Sequence, residues 1–290
     1  MTRDQEHFMP TSASDAAIEP KRDAVLATVP SWLPELFAWK PTTKGNHALV
    51  ERTLGRDSAP NIADGSQRAS LGIAGHIFDR LQIQKEKDGD DEESLGKLLE
   101  IGVQEHLGEC FGSSARSVSW RVSRNSKIWK FWQYSHIQEL KDAAEQYPDL
   151  KELIAGDYLI DPDVTVGVPG RYGEILRAVV SCKWTIRSDR AQNVRHEFNS
   201  LIKSRRGRAP HLVAVTAEPL PSRLSALTQG MGEIDAVYHV TYELLKEAVA
   251  EYVPLSLKKG EPSQQEHLDT MIRTGRLRDY RELSQDILAE

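Results

Sequence analysis

Three residues whose types together can hydrolyse a phosphodiester, Asp163, Lys183 and Glu197, stand within one stretch of this 290-residue sequence. That chemistry needs a metal held by carboxylates, an activated water, and positive charge to offset the developing phosphorane. Asp163 follows Pro162, which forces Asp161 into an extended conformation, so Asp163 is expected to open a strand. Ser181 and Lys183 are two apart in the β-rich run ILRAVVSCKW (175–184) and therefore point the same way. Lys183 can then orient or deprotonate a water and offset phosphate charge. Cys182 points to the opposite face, but its backbone carbonyl can still ligate a hard cation. Glu197 falls about 90° from the centre of the apolar face of a helical segment, at an edge it shares with Arg190 and Leu201. From that edge it either reaches over the end of a sheet toward a metal or pairs with Arg190 or Arg195 as a surface glutamate.

Beside these residues lies Arg187-Ser188-Asp189-Arg190, two arginines flanking one aspartate at the start of the same helix. Arginine makes bidentate bonds to guanine in the major groove and aspartate accepts from cytosine N4, so such a trio can read both strands of G·C pairs. The simpler alternative is a capped helix start with exposed arginines. Charge is unevenly spread. Residues 171–208 carry ten basic side chains against three acidic ones, whereas 86–93, EKDGDDEE, carries one lysine against six acids. A basic segment in a chain of net charge −6 suits a confined polyanion site better than a general coat of nucleic acid. The KSRRGR run (203–208) faces phosphate or solvent, and no base is assigned to it.

The elements that must hold these residues follow from periodicity. Residues 1–30 mix Ser, Thr, Pro, Ala and charge without a repeat and are expected to form a mobile tail, leaving 31–290 as a single domain. A helical patch carries Leu33, Leu36 and Phe37. A loop with Pro60 and the Asp64-Gly65 turn precedes a helix from about Ser70 to Gln82. The next helix carries Leu95, Leu98, Leu99, Val103 and Leu107, with Glu100 on it. Another is expected over 127–147, ending before Pro148. YLIDPDVTVGV then reads as strand, turn and strand. Residues 188–204 have helical period, with Ala191, Val194, Phe198, Leu201 and Ile202 on one face and Ser188 or Asp189 as N-cap. HLVAVTAEP (211–219) and EIDAVYHV (233–240) read as strands, and a last helix is expected from Thr241 to Glu251. Strands and helices alternate through this half, as in an α/β sheet with helical layers.

The order Pro-Asp, Ser-Cys-Lys, then a glutamate after thirteen intervening residues resembles the PD-(D/E)XK nucleases in an unusual form. In the ordinary form an acid stands two residues before the lysine. Here that place is Ser181, and the acid has moved to the following helix. This pattern is similar to the CCGG family of type II restriction endonucleases, and most similar to its branch cutting GCCGGC. The resemblance runs through SCKWTIRSDRAQN (181–193), KSRRGRAPHLVAVTAEPLPSR (203–223) and GEIDAVYH (232–239), more loosely through NIADGS (61–66) and the helix around Glu100.

The resemblance implies a restriction-endonuclease-like α/β fold, a central mixed β-sheet flanked by helices. It implies Asp163 as metal ligand with the Cys182 carbonyl and Glu197, Lys183 as catalytic lysine, Ser181 in support and Glu100 as a further active-site acid. Arg187, Asp189, Arg190 and Asp64 become base contacts. It further implies Mg²⁺, two ions per site, and a homodimer or homotetramer on double-stranded DNA in a prokaryotic cytoplasm. One departure is plain: only 19 residues separate Asp163 from Lys183, where the family carries a longer insertion. GVPGRYGE is expected to be a compact connection replacing it, so a subunit contact made by the longer segment is not carried over.

Composition sets the remaining bounds. With 39% hydrophobic and 28% charged residues the chain is an ordinary globular one, and no stretch reaches the ~18–20 apolar residues of a membrane span. Cys110 and Cys182 lie far apart without CxxC spacing, so neither a disulfide framework nor a zinc knuckle is expected. A repair or recombination nuclease of the same fold, cutting by DNA structure, is the alternative activity. A noncatalytic DNA-binding module in which the carboxylates buttress arginines is a third reading.

Overall fold

Val179 and Val180 are adjacent in sequence and 1% and 0% exposed, so the strand that carries them is covered on both faces, as a central strand must be. In the computed structural model, which describes residues 23–86, 92–113, 119–146, 160–252 and 262–289, they lie in β5 (Gly173–Lys183). On one side β5 pairs antiparallel with β4 (Val164–Gly170), and β4 with β3 (Arg121–Arg124). On the other it pairs parallel with β6 (His211–Thr216), followed by β7 (Ala236–His239) and β8 (Leu277–Asp279). The sheet is therefore mixed, in the order β3-β4-β5-β6-β7-β8. A separate antiparallel pair joins β1 (Trp39–Pro41) to β2 (Ser58–Pro60).

Helices flank this sheet. They are α1 (His47–Leu54), α2 (Arg68–Arg80), α3 (Glu92–Gly112), α4 (Ser135–Gln146) and α5 (Ser188–Ser204), then α6 (Pro221–Thr228), α7 (Tyr242–Glu251), α8 (Gln264–Arg273) and α9 (Leu283–Ala289). On α5 the expected apolar positions Ala191, Val194, Phe198 and Leu201 are all buried. On α3, which packs against β3, β4 and β5, Leu95, Leu99, Val103 and Leu107 are buried, whereas Leu98, expected with them, is exposed.

The compact connection expected between Asp163 and Lys183 is a two-residue hairpin. Gly170 pairs with Gly173 across Arg171 and Tyr172, and Gly173 takes φ +140°, which L side chains rarely adopt. The hairpin registers Val164 against Val180. One step further along, Asp163 stands across from Ser181.

Local structure differs from expectation in four places. The helix expected over 127–147 is two 3-10 turns, Ile128–Lys130 and Trp132–Tyr134, followed by α4. The reason is Gln133, whose side-chain amide accepts from Leu176 N–H at 2.9 Å and donates to Leu176 O at 2.8 Å, bonding β5 like a strand edge. The helix α5 begins with Arg187 as N-cap rather than Ser188 or Asp189. The helix ending at Glu251 is followed by α8, β8 and α9, so it is not the last. Of the tail expected over 1–30, residues 1–22 lie outside the described residues, as does most of the acidic run 86–93, while Val29 is buried. No helix among the described residues is long and apolar enough to cross a membrane.

Candidate active site

The hairpin delivers Asp163 to the end of β5, and three donors from β5 converge on its Oδ2. Cys182 N–H donates at 2.7 Å, Lys183 Nζ at 2.7 Å and Ser181 Oγ at 3.2 Å. Ser181 and Lys183 reach it from one face because they are two apart. Cys182 reaches it through its backbone, with its side chain buried on the other face at 3% exposure. The chain entering β4 is held by an ion pair between Lys127 and Asp161.

Two further carboxylates face this centre. Burial pushes the Glu197 carboxyl above the ordinary carboxylate range, Lys183 pulls it back and Asp163 adds to the rise. Glu100, from α3, is likewise raised by burial and by the charge of Asp163, and lowered by Arg124 and Lys183. Arg124 on β3 holds Glu100 at 3.2 Å. For Lys183 burial favours the neutral amine, but Asp163 and Glu197 outweigh it and raise its pKa. The lysine is thus an ammonium at neutral pH, suited to orient a water and offset phosphate charge.

With Glu100 paired to Arg124, Asp163 and Glu197 beside the Lys183 ammonium offer carboxylate oxygens of the kind a hard divalent cation takes. Among the described residues no three His, Cys, Asp or Glu side chains are grouped to hold a metal ion.

A cleft of about 230 Å³ is lined by Lys40, Asn46, Asp64, Arg187 and Arg223 among others, and by Thr185, two residues beyond Lys183. The turn at 64–66 holds Asp64 in place: its Oδ1 accepts from Ser66 N–H at 2.9 Å and Ser66 Oγ at 2.6 Å, and Arg223 binds Oδ2. Burial alone would raise its carboxyl, but these partners lower it, so Asp64 is ionised. Arg187 is exposed and lines the cleft; Asp189, also exposed, follows on the first turn of α5. Arg190 turns back, with Nη1 donating to Thr185 O at 3.4 Å. The run 203–208 sits at the other end of the 17-residue α5, roughly 25 Å away along its axis.

Sequence reasoning gave no role to Arg223, Arg124 or Lys40. The partner of Arg223 lies 159 positions away, so no local spacing signals it. Its place in the quoted run 203–223 is the only cue the sequence offers.

The chain matches the NgoMIV restriction enzyme family over residues 46–171 and 168–289. It is 38% identical over 217 residues to the type II restriction enzyme NgoMIV of Neisseria gonorrhoeae, covering 63% of this chain and 76% of that protein. A solved structure described as the pre-specific restriction endonuclease BsaWI in complex with DNA is similar at 12% identity and a TM-score of 0.28. That similarity covers 68% of this chain and 64% of that one. The family match and the relative define the class as a site-specific deoxyribonuclease of the type II restriction kind, and a repair nuclease is not favoured. The chain belongs to the NgoMIV restriction enzyme family.

Proposed function

We propose that this restriction enzyme cleaves both strands of a palindromic G·C duplex containing CCGG, with GCCGGC the expected site, and leaves 5′-phosphates. The observation that carries the catalytic assignment is the convergence of Ser181, Cys182 and Lys183 on one oxygen of Asp163. On this reading Asp163, the Cys182 carbonyl and Glu197 hold Mg²⁺, two ions per site, with Glu100 as a further acid. The metal, when bound, supplies Lewis-acid activation of the scissile phosphate and a more acidic water. Lys183 orients that water and offsets charge, and Ser181 and Arg124 keep Asp163 and Glu100 in place. Arg187, Asp189, Arg190 and Asp64 contact base edges, with Arg223 joined to Asp64.

A two-fold symmetric site calls for a symmetric protein, a homodimer or homotetramer, each dimer placing one active site on each strand. Residues 31–290 would work as one endonuclease domain in the cytoplasm of a prokaryotic cell. Digestion of DNA of known sequence in Mg²⁺, with the ends mapped, tests this function. Discrete fragments ending within GCCGGC are expected, and a smear or cuts unrelated to CCGG would refute the site.

A further inference from the structure

Glu218 follows β6 and is 0% exposed, yet the cutting and reading described above make no use of it. Ion pairs or hydrogen bonds must satisfy a carboxylate so placed, and its partners are informative. Oε2 accepts from Ile186 N–H at 2.8 Å, and Oε1 accepts from Leu220 N–H at 3.1 Å. Arg223 Nη1 stands 3.8 Å from Oε2, while Nη2 of the same guanidinium binds Asp64. Ile186 immediately precedes Arg187, the N-cap of α5. One side chain thus touches both arms of the cleft, the segment leading into 187–190 and the Arg223–Asp64 pair.

The main chain of Glu218 is fixed as firmly. Its N–H donates to Thr216 Oγ1 at 3.1 Å, and its carbonyl accepts from His239 Nε2 at 3.0 Å. His239 is neutral, with its pKa pushed down to about 4 by burial. Its Nδ1 accepts from Thr241 N–H at 3.2 Å, so Nε2 carries the proton given to Glu218. Burial also pushes the Glu218 carboxyl up to about 7, against the pull of the two amides and Arg223. An apolar side chain would fill the same space without desolvating a carboxyl, but it could not span Ile186, Leu220 and Arg223.

We propose that Glu218 is a positioning residue for DNA reading, fixing the 187–190 arm and the Arg223–Asp64 pair relative to each other so that both meet one duplex in register. This rests on the proposed base contacts by those two arms.

Glu218→Gln keeps the volume but turns an amide NH₂ toward one of two backbone N–H donors. Glu218→Asp keeps the charge but is one methylene short. Both variants and the wild type are compared on a GCCGGC duplex, duplexes with one pair changed, and a random duplex, in Ca²⁺ for binding and Mg²⁺ for cleavage. For Glu218→Gln the preference for GCCGGC over a one-pair change is expected to fall roughly tenfold or more. Random-duplex affinity stays unchanged, and KM rises more than kcat falls. Glu218→Asp recovers part of the preference. A variant with native circular dichroism, lowered Tm and wild-type preference overturns the proposal, because a purely structural carboxylate behaves that way. Should the wild type itself show no preference for the CCGG core, the underlying base contacts fail instead, and that result is distinct.

Discussion

Around Asp163, two cations, Lys183 and Arg124, stand among three carboxylates, and burial together with the charge of Asp163 raises Glu100 and Glu197 above the ordinary carboxylate range. In the cleft the balance reverses: Lys40, Arg187 and Arg223 face the single carboxylate Asp64, which its partners keep ionised. The first arrangement suits a cation, the second a polyanion whose bases offer acceptors. Neither would serve in the other's place. Excess acid repels phosphate until a cation bridges it, whereas excess base binds phosphate but cannot hold a metal. Both are assembled from distant segments, and the stretch from Lys183 to Arg187 is the short piece of chain that runs from one to the other.

The largest expected effect breaks one side of that comparison only. Asp163→Ala or Lys183→Ala should lower plasmid cleavage in Mg²⁺ by roughly 10³-fold or more, while gel-shift binding to the cognate duplex in Ca²⁺ persists. Undiminished cutting by either variant would remove the site assignment. Arg190→Ala breaks the other side. Cognate binding should fall by about 10²-fold and random-duplex binding far less; equal losses on the two duplexes would count against base reading.

A milder change sharpens the contrast. Arg223→Lys keeps the charge but not the fork that spans Asp64 and Glu218, and should weaken cognate binding about tenfold, measured by fluorescence anisotropy. Single-turnover cleavage at saturating DNA should change little, since Arg223 is not among the groups around Asp163.

The smallest effect concerns the buried wall behind the cleft. His239 titrates near 4 in the folded protein against an ordinary 6.5, so the unfolded chain takes up a proton that the folded one refuses. Its contribution to stability is therefore present above pH 6.5 and lost as pH falls toward about 4. Glu218 acts oppositely. Its carboxyl titrates at about 7 against an ordinary 4.5, so the folded state keeps a proton that the unfolded one loses, and stability falls as pH rises through that window. Thermal melts from pH 4 to 7.5 should show a steeper acid loss for Glu218→Gln than for wild type, and a shallower one for His239→Gln.

Elements with strict period are legible in the sequence itself. The apolar stripe of α5 and the two-apart Ser181 and Lys183 follow from local geometry, and so does the compact Gly170–Gly173 connection. What stayed hidden depends on partners distant in sequence. Gln133 breaks an expected helix by bonding Leu176, 43 residues away. Arg124 meets Glu100 only because α3 packs on β3. Nothing in the local sequence TAEP signals that Glu218 is buried against Ile186 and Leu220, which only the fold brings to it. The role of Glu197 stayed ambiguous for a related reason: helix phase fixes the direction of a side chain but not what lies over the sheet end.

Four peptide steps separate Lys183 from Arg187, a reach of at most about 14 Å even when fully stretched. The buried Trp184 between them is anchored by its Nε1–H to Asn61 O at 3.2 Å, which leaves that stretch little slack. On the proposed roles of Arg187 and Lys183 this stretch would act as a ruler: the bond within reach of the lysine would lie at a set offset from the base that the arginine contacts. An attempt to engineer new sequence preference by regrafting the arginine arm would drag the point of incision along, and the length of overhang would change with the letters being read.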